Sequence, residues 1–176
     1  DNIMKKFVNM NPPPVDANGK TENGCYIDIP GAKTPGYSLP VTFKKLTPNA
    51  KEPYMTNPGD AAFDLYATKF ESGANGVVVV STGLAFAIPE GFEDQVRSRS
   101  GLGSRGIFVT NGIGTIDSGY RGEVKVLLSC IRGDIWMEDF GKVLHIGNEV
   151  LRVGDRVAQL AIREVPYVTM RETSEM

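Results

Sequence analysis

The chain has 176 residues, of which 41% are hydrophobic, and this length and composition fit one globular domain with a single sizeable core. Its 19 Lys and Arg residues against 21 Asp and Glu residues give a formal net charge of -2, which excludes a protein that holds a polynucleotide along a broad basic face. Any phosphate that the chain binds is therefore expected to be met by a local cluster of residues.

The cysteines and the one histidine exclude two further classes. Cys25 and Cys130 lie far apart without a partner motif, so we expect free thiols in a reducing cytosol and no secreted disulfide framework. The two cysteines and the single histidine, His145, are too few ligands for a self-contained zinc site. Residues 1–10 lack the apolar run of a signal peptide, and no later stretch approaches membrane-spanning length. We expect a cytoplasmic protein that binds no membrane and no nucleic acid, or one in the host-cell cytoplasm or nucleus if the source is viral.

The first part of the chain is dense in proline, glycine, asparagine and lysine. This composition predicts a largely irregular N-terminal extension over residues 1–40, followed by a β domain over residues 41–176. Residues 37–46 contain an alternation of Leu39, Val41 and Phe43, which predicts the first strand of that domain.

Beyond Pro58 the sequence predicts short strands separated by turns. Apolar and β-branched runs mark 77–80, 84–88, 92–96, 124–128 and 157–162, and residues 143–153 bracket a hairpin turn at Gly147-Asn148. No long stretch shows the 3.6-residue apolar period of a helix. With 20 Gly and 11 Pro, the pattern predicts an all-β protein, a distorted jelly roll or β-barrel with at most one short helix.

Residues 97–106, RSRSGLGSRG, place arginines, hydroxyls and glycines in a turn directly after a strand. Gly101 permits a close approach of the backbone to an anion, Ser100 offers a hydroxyl donor, and Arg99 offers charge-assisted bonds. A short helix starting here would also point free N–H groups at a phosphate. On their own, these residues fit a solvated basic turn equally well.

Residues 111–123, NGIGTIDSGYRGE, contain glycines that imply a tight backbone around Asp117 and Tyr120. A tight hairpin here would project both side chains. Asp117 would then serve as a general base for a water molecule, and Tyr120 would pack on a sugar or a base. The alternative is that Asp117-Ser118-Gly119 is an ordinary turn.

With residues 60–67 (DAAFDLYA) and 154–160 (GDRVAQL), these segments resemble four of the five motifs of the trimeric dUTP pyrophosphatases, in order and at close to the usual spacing. Asp64 matches the carboxylate of the first motif, and Arg99-Ser100-Gly101-Leu102 matches the second. The third motif is matched at Asn111, Gly114, Ile116, Asp117, Tyr120, Arg121, Gly122 and Glu123. The resemblance covers about residues 41–165.

The resemblance implies hydrolysis of dUTP to dUMP and pyrophosphate, which lowers dUTP and supplies dUMP for thymidylate synthesis. Asp117 would deprotonate the water that attacks the α-phosphorus. Magnesium would bridge the triphosphate oxygens, with Asp64 reaching the ion through water. The phosphates would be held by Arg99, Ser100, Gly101 and Gln159.

The resemblance also implies how the nucleotide is selected. Asn111 and the backbone around Gly114 and Ile116 would read the uracil edge, whose donor and acceptor pattern differs from that of cytosine. Tyr120 would lie against the deoxyribose and leave no space for a 2′-hydroxyl. Members of the family are homotrimers, and the resemblance implies the same assembly here. Each active site would combine the first, second and fourth motifs of one chain with the third motif of a neighbour.

Three features depart from the family pattern. Ser98 stands where the second motif usually has proline, which loosens a backbone constraint. Residues of about 131–150 form a longer link than usual, in which we expect Trp136 to anchor the segment and His145 to be a surface or packing residue. The glycine-rich fifth motif does not occur up to Met176. Either that arm is absent, in which case binding should survive and turnover should drop, or the sequence ends before it.

Two other functions are compatible with the resemblance. A dCTP deaminase-like enzyme of the same fold needs a glutamate in the strand after the third motif, and residues 124–130 contain no carboxylate. A non-catalytic interaction or regulatory protein with the same fold would use the inserted segment to hold a partner. Intact Asp117 and Tyr120 argue against a loss of catalysis.

Overall fold

The computed structural model describes residues 20–21, 24–25, 39–57 and 59–175. These residues form antiparallel strands with one four-residue helix and one 3-10 turn, which confirms the all-β prediction. None of their helices is long and apolar enough to cross a membrane. Most of the predicted extension over residues 1–40 lies outside the described residues.

The elements follow one another in this order: β1 Lys20–Thr21, β2 Gly24–Cys25, β3 Thr42–Lys45, β4 Phe63–Tyr66, β5 Lys69–Ser72, β6 Val78–Ser81, β7 Leu84–Ala87, β8 Phe92–Arg97, α1 Ser100–Gly103, β9 Ile107–Val109, β10 Ile113–Ile116, β11 Lys125–Cys130, β12 Ile135–Glu138, the 3-10 turn Asp139–Gly141, β13 Val143–Ile146, β14 Glu149–Arg152 and β15 Arg156–Glu164.

Two four-stranded sheets form the body of the domain. The first sheet has the order β10-β8-β15-β4, and the second has the order β5-β6-β11-β9. Val96 and Leu160 from the first sheet and Val80 and Val126 from the second belong to one buried apolar cluster. Burying an aliphatic side chain of this size contributes about 1.5–3 kcal/mol, so the cluster between the sheets is the main source of stability.

The segment predicted as an insertion forms a third sheet, with the order β12-β13-β14. The hairpin predicted around Gly147-Asn148 is confirmed, because β13 pairs with β14 across it. Leu144 and Ile146 face the core. Trp136 points to the other face, is 47% exposed, and stacks on His145 with ring centroids 3.5 Å apart. The expectation that Trp136 anchors the segment was therefore wrong, because the apolar residues of the opposite face attach it.

The third motif does not form the predicted tight hairpin. The strand before Asp117, β10, pairs with β8 in the first sheet, whereas the strand after Tyr120, β11, pairs with β6 and β9 in the second. The chain crosses between the two sheets at residues 110–112, because β9 buries Ile107 and Val109 in the shared core before β10 begins. Asp117 and Tyr120 instead lie in a turn after β10, in which the Tyr120 N–H donates to the Asp117 carbonyl at 3.0 Å.

Candidate active site

A pocket of about 400 Å³, here called pocket A, lies where the two sheets meet. The strands β8 and β10 of the first sheet contribute Val96 and its neighbours on one side, and Lys125 and Leu127 of β11 form the other side. Every third-motif residue predicted to act on the substrate lines this pocket, namely Asn111, Gly114, Ile116, Asp117 and Tyr120. The structure therefore brings the predicted base-reading and water-activating residues together.

Two glycines allow the shape of pocket A. A β-carbon on Gly114 would lie 3.2 Å from the Asn111 amide nitrogen and 3.2 Å from the Val96 β-carbon. A β-carbon on Gly122 would lie 2.6 Å from the Tyr120 hydroxyl, which donates a hydrogen bond to the Glu123 carbonyl at 2.9 Å. The Asn111 amide and the Tyr120 ring can hold these positions because both glycines lack a side chain.

A second pocket of about 280 Å³, here called pocket B, contains the predicted residues of the first and fourth motifs. Its lining includes Asp64 of β4, Gln159 of β15 and Arg97 of β8, with Tyr54 at its edge. The strand register places Gln159 opposite both Asp64 and Arg97, so these three side chains share one face of the first sheet.

Asp64 is only 4% exposed, and its carboxylate holds two arginines. One oxygen accepts from Arg99 Nε at 2.8 Å and the other from Arg156 Nη1 at 3.2 Å. These ion pairs fix the Arg99 guanidinium beside pocket B. The predicted water-mediated contact of Asp64 with magnesium stays a prediction, and the bonds in the structure assign the carboxylate to positioning Arg99.

The second motif forms the turn that follows β8. Arg99 lies directly before the one-turn helix α1, in which Ser100 and Gly101 are exposed at the start. Ser98, which stands in place of the usual proline, accepts a hydrogen bond from the Val109 N–H at 2.9 Å through its hydroxyl. This bond ties the turn to β9, so the turn stays fixed without the proline ring.

The two pockets lie on opposite faces of the first sheet. Val96 and Gly114, which line pocket A, alternate along their strands with Arg97 and Ile113, so the Val96 face is turned away from the face of pocket B. Within one chain, the first sheet therefore separates the third-motif residues of pocket A from the residues around Asp64.

Asp94 is a buried carboxylate that the sequence analysis did not single out. It is 0% exposed and lies between Ile116 of β10 and Ile162 of β15, and neither of its oxygens has a hydrogen-bond partner among the residues that the structure describes. Burial raises the pKa of Asp94 to about 7. The sequence carries a signal for this position, since period-two alternation in β8 places Asp94 on the same face as Phe92 and Val96.

The carboxylate of Asp64 gives a first prediction. Replacing Asp64 by Asn should lower the free energy of unfolding by about 2 kcal/mol, because Arg99 and Arg156 lose the buried charge that pairs them. Urea denaturation monitored by fluorescence measures this change. The exposed Asp134→Asn variant removes the same charge from the surface and should change stability by less than about 0.5 kcal/mol. Equal effects of the two substitutions would contradict a structural role for the ion pairs.

Comparison with protein families agrees with this arrangement. The model of the dUTPase family matches residues 49–139. The deoxyuridine 5'-triphosphate nucleotidohydrolase of Anaplasma marginale is 39% identical over 145 residues, which cover 80% of this chain and 82% of that protein. The enzyme of the same name from Helicobacter hepaticus is 42% identical over 138 residues, covering 77% of this chain and 79% of that protein.

Solved structures share the fold. The dUTPase of phage phi11 of S. aureus, a point mutant described as coordinating a structural Mg(II) ion, superposes with a TM-score of 0.60 at 22% identity and covers 78% of this chain and 98% of its own. A mutant dUTPase of phage 80alpha gives a TM-score of 0.64 at 22% identity, covering 80% and 92%. The family model matches more than half of the chain, and the two curated relatives exceed 30% identity over most of their length. This chain therefore belongs to the dUTPase family.

Proposed function

We propose that this chain hydrolyses dUTP to dUMP and pyrophosphate, with Asp117 activating the water that attacks the α-phosphorus. The observation that carries the proposal is the convergence of all five predicted third-motif residues on pocket A. Asp117 lines that pocket and is exposed at the end of β10, where a water molecule and a phosphate can reach it. The bond that breaks joins the α-phosphorus to the oxygen that bridges to the β-phosphate, and pyrophosphate leaves.

Pocket A accounts for the selection of uracil and deoxyribose. Asn111 and the β10 backbone from Gly114 to Ile116 offer hydrogen-bonding groups along one wall, and the apolar Val96 lies beside them. A cytosine in this position would leave buried donors or acceptors unpaired, at a cost of about 1–3 kcal/mol for each group. The Tyr120 ring, fixed by its bond to the Glu123 carbonyl, would close the sugar side of the pocket.

The cluster around pocket B supplies the binding of phosphate. Within the described ranges, Arg99 donates a side-chain hydrogen bond only through Nε, to Asp64, which leaves its two terminal nitrogens for a phosphate. Ser100 and Gly101 are exposed beside it, and Gln159 lies on the neighbouring strand β15. Donors that are already fixed in place stabilise the charge of the transition state without a reorganisation cost.

The placement of the pockets supports a shared active site. Since pocket A and pocket B lie on opposite faces of the first sheet, one nucleotide can contact both sets of residues only if pocket A of one copy faces pocket B of another. A closed ring of three copies would give three such sites. We therefore include a homotrimer with sites between subunits in the proposal.

Magnesium fits this donor set as an ion carried by the substrate. The described residues contain no cluster of three or more His, Cys, Asp or Glu side chains, and Asp64 is already bonded to two arginines. Mg²⁺ commonly binds triphosphate oxygens and keeps several waters, and it needs few protein ligands. When bound, the ion would neutralise charge on the triphosphate, and Asp64 would reach it only through water.

The test is the release of pyrophosphate from dUTP, UTP, dCTP and dTTP in the presence of magnesium. We expect dUTP to be cleaved at least 100-fold more efficiently than each of the other three, because each differs at a group that pocket A contacts. Conversion of dCTP to dUTP would instead identify a deaminase. Binding of dUTP without cleavage would favour a non-catalytic role, and no binding of any nucleotide would overturn the proposal.

A further inference from the structure

We propose that Arg97 is an additional binding residue for the triphosphate, acting beside Arg99 on the face of pocket B. The inference rests on the proposed function and adds a residue to it. Arg97 belongs to the same basic segment, residues 97–106, but lies two positions before Arg99 and therefore on the strand β8 itself. A strand residue is held more rigidly than a turn residue, which suits a group that must be in place before the substrate arrives.

The position of Arg97 points its side chain to pocket B. It is paired with Gln159 across β8 and β15, and Gln159 is paired with Asp64 across β15 and β4. With neighbouring strands about 4.8 Å apart, the three side chains form one row on the same face of the sheet. All three line pocket B. An anion that contacts Gln159 therefore lies next to the Arg97 guanidinium.

In the described part of the chain, no carboxylate forms an ion pair with Arg97. Among the described residues, the ion pairs of the basic segment are those of Arg99 with Asp64 and of Arg105 with Glu149. Arg97 donates instead to Gln95, with Nε 3.0 Å from the amide oxygen and Nη2 bonded to the same atom. A neutral oxygen orients the guanidinium and leaves its positive charge for an anionic ligand.

The orientation of Gln95 is fixed in turn. Its amide nitrogen donates to the Glu93 carboxylate at 2.5 Å, which leaves the amide oxygen as the atom that faces Arg97. Glu93, Gln95 and Arg97 are alternate residues of β8 and therefore share one face. The row presents a preoriented cation at the end of β8, where the strand runs into the phosphate-binding turn.

The other arginine of the segment cannot take this role. Arg105 donates to the Gly101 carbonyl at 2.7 Å and to Glu149 at 2.6 Å, so its charge is paired and its side chain is tied to β14. Arg97 is half-buried and lies beside Gln159 in pocket B, whereas Arg105 is exposed and does not line that pocket. We therefore assign a structural role to Arg105 and a ligand-binding role to Arg97.

The experiment compares Arg97→Gln with Arg97→Lys and with Arg163→Gln, by calorimetric titration with α,β-imido-dUTP and with dUMP. Arg163 pairs with Glu93 on the same sheet face, about 13 Å along the strand from the level of Arg97, and is a matched control for loss of charge. We expect Arg97→Gln to lower the affinity for the triphosphate analogue about tenfold or more. The affinity for dUMP should fall by less than threefold, since dUMP carries less charge than the triphosphate. Arg97→Lys should recover part of the loss, and Arg163→Gln should bind as the original chain does.

The outcomes separate this inference from the proposed function. If the unchanged chain binds the analogue but Arg97→Gln binds it equally well, the role of Arg97 is wrong and the proposed function stands. An equal loss for dUMP and the triphosphate analogue, or a changed oligomeric state in size-exclusion chromatography, would show a structural role and also overturn the inference. If the unchanged chain binds no nucleotide, the proposed function itself fails.

Discussion

Replacing Asp117 by Asn is expected to lower dUTP turnover by about 10³-fold, while binding of α,β-imido-dUTP changes by less than about threefold. Asn keeps the shape of the side chain in pocket A but cannot accept a proton from the attacking water. Steady-state release of pyrophosphate measures the first quantity, and calorimetric titration measures the second. Asp134→Asn, in the segment that forms the third sheet, should leave both unchanged.

Retained turnover in Asp117→Asn would assign the base to another carboxylate. Glu123 also lines pocket A, although one of its oxygens accepts from the Gly83 N–H at 2.8 Å and the other lies 3.8 Å from Lys125 Nζ. Glu123→Gln would then have to show the loss expected for Asp117. A loss of analogue binding together with turnover would instead mean that Asp117 contributes to the shape of the site.

The original chain is expected to lose stability as the pH rises, and replacing Asp94 by Asn is expected to remove this loss. The pKa of Asp94 is raised to about 7 in the folded protein, above its value near 4 in the unfolded chain. Below about pH 4 both states are protonated. Between about pH 4 and 7 the unfolded chain releases the proton and the folded chain keeps it, so stability falls with rising pH, by about 3 kcal/mol after local relaxation.

Urea denaturation of both proteins from pH 4.5 to 8.5, at one protein concentration, checks this prediction. The difference in unfolding free energy, Asp94→Asn minus the original chain, should grow with pH and level off above about pH 7.5. The free-energy cost of burying the Asn amide does not depend on pH. It therefore changes this difference by the same amount at every pH and leaves its slope unchanged. A difference that is constant across this range would show that the pKa of Asp94 is the same in the folded and unfolded chains, and it would contradict this prediction.

The strands could be predicted because apolar alternation is a local property. The runs around Val78, Leu84 and Val157 fold as predicted, as does the hairpin at Gly147. The partner of each strand could not be predicted in the same way. The glycines of residues 111–123 predict a tight hairpin around Asp117 and Tyr120, whereas β10 before that turn pairs with β8, and β11 after it pairs with β6 and β9.

For the candidate site, the sequence likewise indicates which residues take part but not which of them come into contact. The motif residues were found from the sequence, and the five of the third motif do share pocket A. The ion pairs of Asp64 with Arg99 and Arg156 join residues 35 and 92 positions apart, which no local pattern records. Arg97 and Asp94 lie three positions apart and on opposite faces of β8, so their different surroundings depend on which face meets the core.

Pocket A is lined by β8 and β10 of the first sheet and by β11 of the second, so its shape depends on the separation of the two sheets. That separation is set by close-packed core side chains such as Val80, Val126 and Leu160, which do not line the pocket. A cavity-forming or overpacked core substitution that leaves the chain folded would therefore change the size of the base that fits. Under the proposed function, discrimination between uracil and a methylated pyrimidine would then depend on the protein interior, and it would change with mutations far from any residue that touches the nucleotide.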